Sequence, residues 1–447
     1  MTTHDDHLRR YLAQGPTSPR QLLEKTGISQ PTLSRAISVM GDAVVRIGAA
    51  RSIQYALRDP QRGLNDIPVY RVGTDGKIRL LGELIPVRPD GFVMRQADGK
   101  TLHTDSLPWW LLDMRPQGFL GRAYAAQHAD MLGLPTKLSD WSDADALRAL
   151  IAHGHDAVGN VLLGNRARDH FLSTLPPAAI PTRQKGATYA RLAQEATSSD
   201  RPGSSAGGEQ PKFTALVQTP TNPCHVLVKF TLPEANPVTE RWRDLLLAEH
   251  HALETLRAAG LPAARSGVID HAGQRFLELE RFDRVGTHGR CGLCSLSALE
   301  AEFVGDATAP WPALAARLAA GRHIRHAAVH DAARLYAFGT LIGNTDMHNG
   351  NLSFVSDHGR PYALAPAYDM LPMAFAPRAS GGMPHDVPAA HLHASVPHPI
   401  WGQTLGWASD FLARLRADSR CSANFQPCLQ SLAQHLDVAS TTIARLG

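Results

Sequence analysis

Asn344-Thr345-Asp346-Met347-His348-Asn349-Gly350-Asn351, followed by Tyr368-Asp369-Met370-Leu371-Pro372, is the stretch on which the reading of the fold turns. It sets an acid, Asp346, four intervening residues ahead of an amide, Asn351, with a second acid, Asp369, further along the chain. Phosphoryl transfer uses groups in that order. An Asp orients and deprotonates the accepting hydroxyl, and an Asn and a later Asp hold Mg²⁺ against the nucleotide phosphates. Asn, Asp and Gly are also what a polar turn between a helix and a hairpin contains, so both readings stay open here.

Two upstream segments bear on the choice. Ser204-Ser205-Ala206-Gly207-Gly208-Glu209-Gln210-Pro211-Lys212 is made of small residues whose backbone N–H groups can approach phosphate oxygens, although it lacks Walker A spacing and has a linker's composition. Cys224-His225-Val226-Leu227-Val228-Lys229-Phe230 reads as a buried strand interrupted by one lysine. A buried Lys229 needs a carboxylate, and Glu249 on the next predicted helix is placed to supply it; the alternative is an edge lysine reaching water along its stem.

Taken together these motifs resemble the HipA-like serine/threonine kinase toxins of bacterial type II toxin–antitoxin systems. The resemblance runs from about Val69 to the C-terminus and also rests on Glu278-Leu279-Glu280-Arg281-Phe282-Asp283-Arg284. The N-terminal segment makes the chain most similar to the YjjJ-type branch, whose members carry a fused helix-turn-helix. The resemblance implies an α+β, two-lobed protein-kinase-like fold of the HipA type, with ATP and Mg²⁺ as cofactors. It implies that Asp346 is the catalytic base and that Asn351 and Asp369 are metal ligands. Lys229, held by Glu249, would steady the nucleotide phosphates, beside a loop of Ser204, Ser205, Ala206, Gly207 and Gly208. Backbone groups of Glu280 and Phe282 would meet adenine. His348 would orient the active-site loop or touch phosphate; an exposed loop histidine and a metal ligand beside Asp346 are its other readings. Autophosphorylation is implied at Ser204 or Ser205, and the substrate class is protein, an aminoacyl-tRNA synthetase for example. An antitoxin or a second copy would be the partner. The chain departs from eukaryotic kinases in having Tyr368-Asp369-Met370 for Asp-Phe-Gly and in lacking an Ala-Pro-Glu segment.

At 447 residues the chain exceeds what one core organises, and four segments are expected: 1–62, 63–140, 141–285 and 286–447. A net charge of +4 is mild, so any nucleic-acid contact must come from local clustering. Five cysteines exclude a disulfide scaffold and suit a reducing cytosol, while Cys291-Gly292-Leu293-Cys294 is half a zinc motif without a second half. Neither a signal sequence nor a membrane-length apolar run is present, so a cytoplasmic protein is expected.

Residues 1–62 read as a winged helix-turn-helix. Ser18-Pro19 and Ser29-Gln30-Pro31 each combine an N-cap serine with proline in the first turn, and Gly27 stops the first of the two helices. The second would present Gln30, Thr32, Ser34 and Arg35 to base edges of duplex DNA, and a hairpin over 44–57 would bring Arg46 and Arg51 to phosphates. A protein-binding helical module is the alternative. Arg58 to Pro68 reads as a linker, 69–82 and 91–102 as hairpins, and 158–163 as a strand of the 141–285 lobe. Residues 326–343 form the helix that delivers the chain to Asn344. A competing function is a DNA-binding regulator whose kinase-like part binds nucleotide without catalysis.

Overall fold

The computed structural model describes residues 3–175, 177–198, 210–357 and 359–445. The expected phosphate loop, Ser204 to Gly208, lies outside them. The chain divides into two compact units: 1–115 with 131–135 and 139–175, and 116–130 with 136–138 and 176–447. Helices and strands are mixed in both, so the α+β class stands.

The first unit starts with α1 (Thr3–Leu12), α2 (Pro19–Thr26) and α3 (Gln30–Met40). The Ser18 hydroxyl accepts the Gln21 amide at 3.3 Å while Gln21 Oε1 accepts the Ser18 amide at 3.0 Å, a reciprocal cap on α2. Gly27, at φ +70°, ends α2 in the left-handed region, and Ser29 caps α3. Leu8, Leu12, Leu22, Leu33 and Met40 close a core beneath them with Leu57 of the following hairpin. That hairpin is β1 (Val44–Ile47) against β2 (Gln54–Leu57), with Arg46 opposite Tyr55. The element order of this part is thus three helices and a hairpin.

Next come β3 (Ile67–Val72), β4 (Ile78–Pro86), β5 (Phe92–Gln96), β6 (Thr101–Thr104), α5 (Asp143–His153), β7 (Val161–Leu163) and α6 (Gly164–Ser173), while α4 (Gly118–Leu132), between β6 and α5 in sequence, is counted for most of its length with the second unit. The antiparallel sheet has the order β6-β5-β4-β3-β7. Gly82 allows β4 to lie close on β5, since a Cβ there would stand 2.1 Å from the Arg95 carbonyl oxygen. Two sequence expectations are corrected here. The strand at 158–163 belongs to this sheet and not to the 141–285 lobe, because Leu162 pairs with Tyr70 and Leu163 joins the core of Val69, Leu84, Phe92, Leu147 and Leu150. The stretch from Arg58 to Pro68 is a joint and not a free linker. Asp59, 8% exposed, bonds Arg62 and Arg88, Leu64 is buried, and the Arg62 guanidinium lies 4.6 Å over the Phe92 ring while bonding the Gly91 carbonyl at 2.6 Å.

The second unit holds α7 (Lys185–Ser198), β8 (Lys212–Gln218), β9 (Pro223–Phe230), α8 (Pro237–Ala258), β10 (Ser266–His271) and β11 (Gln274–Glu280). These strands form an antiparallel sheet, β10-β11-β9-β8. Its alternating residues Val226, Val228, Phe230 and Phe276 pack under Tyr189 and Ala193 of α7, which turns Lys229 to the other face. Asn236 caps α8 and Pro237 opens it.

Short strands follow, β12 (Arg284–Val285), β13 (Gly289–Arg290) and β14 (Leu293–Ser295), and then α9 (Leu296–Phe303), α10 (Trp311–Ala320) and α11 (His326–Leu341). β15 (Ser353–Val355), β16 (Ala363–Leu364), α12 (His398–Ala417) and α13 (Gln426–Ala444) complete the chain. Alanines 328, 332, 333 and 337 on α11 are buried and let α10 and α12 approach closely, and Phe338 meets Phe411 edge-on with ring centroids 6.2 Å apart. Among the described residues no helix is long and apolar enough to cross a membrane.

Candidate active site

The site begins where α11 ends. Gly343, at φ +76°, breaks the helix, and the Asn344 amide donates back to the Gly339 carbonyl at 2.8 Å. Asn344 is 5% exposed, and its side chain serves two segments: Oδ1 accepts the Asp346 amide at 3.1 Å, and Nδ2 donates to the Asp369 carbonyl at 3.3 Å. One buried amide thus fixes the two acids of the motif relative to each other. Asn351 Nδ2 donates to the Asp346 carbonyl at 2.9 Å and closes the loop on itself, leaving the Asp346 carboxylate exposed.

His348 Nδ1 accepts the Gly350 amide at 3.0 Å and caps the short turn Asn349–Asn351. Accepting there puts the proton of the neutral ring on Nε2. The Tyr368 hydroxyl donates to the Gly350 carbonyl at 2.7 Å and lies 2.7 Å from Ser353 Oγ, tying the residue before Asp369 to the loop and to Ser353.

Lys229 is buried and central. Its Nζ lies 2.7 Å from both Glu249 oxygens and also bonds Asp369 Oδ1. The Glu249 side chain is 0% exposed and that of Asp369 33%, so the acid at the open end of the triad is Asp369. Within the triad one cation faces two carboxylates, a net charge of −1 that the nearby Lys212 offsets. Burial draws the Lys229 ammonium down, but the carboxylates of Asp369 and Glu249 more than offset it and hold it above its ordinary value. Burial pushes the Glu249 carboxyl up, and Lys229 draws it back only in part. Burial also pushes the Asp369 carboxyl up, yet the charges of Lys229 and Lys212 hold it below the ordinary carboxylate range. Asp369 sits at φ +52°, a left-handed conformation that costs a non-glycine residue on the order of 1 kcal/mol and occurs most often at functional sites.

Lys212 was not singled out by sequence. It stands opposite Lys229 in the β8–β9 register, and residues directly opposite share a face. Its signal was its position just after the small-residue loop. Glu280, exposed at the end of β11, donates its amide to the Arg265 carbonyl at 2.8 Å, so any contact it makes with a base is through its own carbonyl. The Phe282 ring lies 5.8 Å from that of Tyr368. Glu278, on the face opposite Lys229, takes Lys185 of α7 at 2.9 and 2.8 Å together with the Tyr189 hydroxyl.

In the first unit, Gln30, Ser34 and Arg35 are exposed on α3, and Arg46 and Arg51 on the hairpin. Thr32 is half-buried with its hydroxyl 2.9 Å from Ser29 Oγ, which makes it part of the helix cap.

Residues 64–172 match the family model described as the middle domain of YjjJ-like toxins, and residues 204–421 match the HipA-like C-terminal domain. Over 438 residues the sequence is 39% identical to Toxin YjjJ of Escherichia coli strain K12, covering 98% of each chain. Among solved structures, the Shewanella oneidensis toxin–antitoxin complex of HipA, HipB and operator DNA aligns with 84% of this chain and 91% of its own, at 17% identity and a TM-score of 0.49. The Helicobacter pylori proinflammatory kinase CtkA aligns with 56% of this chain and 95% of its own, at 14% identity and a TM-score of 0.35.

Proposed function

The chain belongs to the family of YjjJ-like toxins, and from that premise we propose that it is an ATP- and Mg²⁺-dependent serine/threonine protein kinase. The observation that carries this reading is the convergence of Lys229, Glu249 and Asp369 with the loop of Asp346 and Asn351, joined by the one buried side chain of Asn344. Asp346 orients the substrate hydroxyl and takes its proton. Lys229, steadied by Glu249, offers its charge to the nucleotide phosphates, which compete with Asp369 for it. Asn351 and Asp369 are oxygen donors of the hard kind that hold Mg²⁺, which usually takes one or two protein ligands and completes its shell with phosphate and water. When bound there, the ion neutralises charge on the phosphates. Most of the acceleration then comes from positioning and fixed charge.

Adenine would be met by the Glu280 carbonyl and the Phe282 amide, two residues apart at the exit of β11. Ser204 and Ser205 are proposed sites of autophosphorylation: a phosphate there adds close to two negative charges to the Ser204–Gly208 stretch of sequence and would repel nucleotide. The substrate is proposed to be a protein of the translation apparatus, such as an aminoacyl-tRNA synthetase, in the cytoplasm. The exposed Gln30, Ser34, Arg35, Arg46 and Arg51 support duplex DNA binding by the first unit, strengthened by a second copy or an antitoxin presenting another half-site.

The deciding experiment incubates purified protein and its Asp346→Gln variant with radiolabelled ATP and Mg²⁺, and maps transferred phosphate by mass spectrometry. Transfer by the wild type onto Ser204 or Ser205, lost in the variant while its folding is intact, is the expected result. Undiminished transfer by Asp346→Gln refutes the assignment of the base. Nucleotide binding without transfer by the wild type leaves a DNA-binding regulator with an inactive kinase-like part.

A further inference from the structure

Helix α8 carries a second buried charge that the chemistry above does not use. Arg241 is 3% exposed, and its Nη1 donates to the Phe375 carbonyl at 2.8 Å and to the Pro384 carbonyl at 2.7 Å. Its guanidinium lies 5.4 Å over the Phe425 ring, which meets Phe375 edge-on with centroids 5.7 Å apart. One turn on, Asp244 takes the Ser422 amide at 2.9 Å and its hydroxyl at 2.6 Å. Nη1 carries two hydrogens, one for each carbonyl, and the planar guanidinium around it lies over a ring at the same time, which an ammonium does less well.

The two ends of this connection matter. Glu249 lies on the same helix, eight residues beyond Arg241 and so about 12 Å along its axis. Phe375 and Pro384 lie on the segment that starts at Asp369. That segment is also bound to the start of the catalytic loop, where the Ala374 amide donates to the Gly343 carbonyl at 3.0 Å. Lys229 can bond Glu249 and Asp369 at once only if α8 and this segment keep their places. In protein kinases the same two conditions are set by helix position and by phosphorylation of the activation loop.

We infer that Arg241 is a positioning residue: it clamps α8 to the segment after Asp369, so that the Lys229–Glu249–Asp369 arrangement is assembled without phosphorylation of that segment. The inference rests on the kinase reading for its kinetic consequence, but its mechanical part does not.

The test uses the full chain with Arg241→Gln and Arg241→Lys, and Leu432→Ala in the α13 core as a variant that loses packing elsewhere. Amide exchange is followed over 371–387 and over 245–252, and ATP KM and kcat are measured. Expected are faster exchange in both stretches, a raised ATP KM and a kcat lowered between about tenfold and 100-fold in Arg241→Gln, with Arg241→Lys between it and wild type. Leu432→Ala lowers the melting temperature without this pattern. Unchanged exchange over 371–387, or kinetics of Arg241→Gln no different from those of Leu432→Ala, overturns the inference. A wild type that transfers no phosphate overturns the kinase reading alone, since exchange still judges the clamp.

Discussion

Gly339→Ala is a small change with a large expected effect. Gly339 is buried in α11, and a Cβ there would stand 2.3 Å from Met347 Sδ and 3.2 Å from Met370 Sδ. Non-bonded heavy atoms rest at about 3.5–4.0 Å, so Met347 must retreat by roughly 1.5 Å. Met370 is 1% exposed and has little room to give way. Met347 is half-buried and adjoins Asp346, so whatever part of the shift its side chain does not take up by rotation is passed to the Asp346 loop. Overpacking costs about 1–3 kcal/mol, and replacing a mid-helix glycine by alanine returns up to about 1 kcal/mol, so the net loss of stability lies between about 0 and 3 kcal/mol. A misplacement of about 1 Å at a reacting group costs on the order of 100-fold in rate. Urea titration and steady-state kinetics on the same preparation therefore give a midpoint lowered by no more than that loss and a kcat reduced by up to about 100-fold. Adding Met347→Ala frees the space and restores much of the rate. A Gly339→Ala enzyme within about threefold of wild type, or a double variant no faster than the single one, refutes the argument.

Two further outcomes are expected. Bonds from Arg420 at 3.0 and 2.7 Å, together with His251 at 2.8 Å, hold the Asp418 carboxyl below the ordinary carboxylate range. Its contribution to stability is therefore present above about pH 4 and drains away as pH falls further; Asp418→Asn flattens the acid limb of a melting-temperature series, and a limb of unchanged slope contradicts this. In the first unit, Arg35→Ala and Arg51→Ala each weaken duplex binding and lower the slope of log affinity against log salt by about 0.9; titrations at several salt concentrations that return the wild-type slope remove these arginines from the interface.

The parts of the site that were legible in the sequence are those where one residue forces another. A lysine in an apolar strand requires a carboxylate, which points to Glu249, and the spacing from Asp346 to Asn351 is local chemistry on a single loop. The helix entries at Ser18 and Ser29 were legible for the same reason, since cap and first turn are neighbours in sequence. Arg241 and Arg62 were not, because both bind main-chain carbonyls, and a carbonyl is present at every residue and leaves no pattern to read. The membership of Val161–Leu163 in the first unit's sheet was hidden by distance: its partners on β3 lie about 90 residues earlier, and a three-residue apolar strand looks alike in any sheet. Asn344 stood within the decisive motif without a role, since only the fold brings the Asp369 carbonyl to it.

The hairpin that follows α3 bears on how the first unit can be dissected. Val45, Ile47 and Ala56 share a core with Ile85, Val87 and Val93 of the neighbouring sheet, and the Gly48 amide bonds Thr101 Oγ1 at 2.7 Å. The two parts are accordingly expected to unfold together, with the boundary near residue 62 lying inside their shared core. A chain begun at that boundary would bare three valine and isoleucine side chains that are now 0% exposed, and its aggregation would pass for a loss of function. A test for DNA contact by the first unit calls for charge-removing substitutions on the outer face of α3, in a chain left whole.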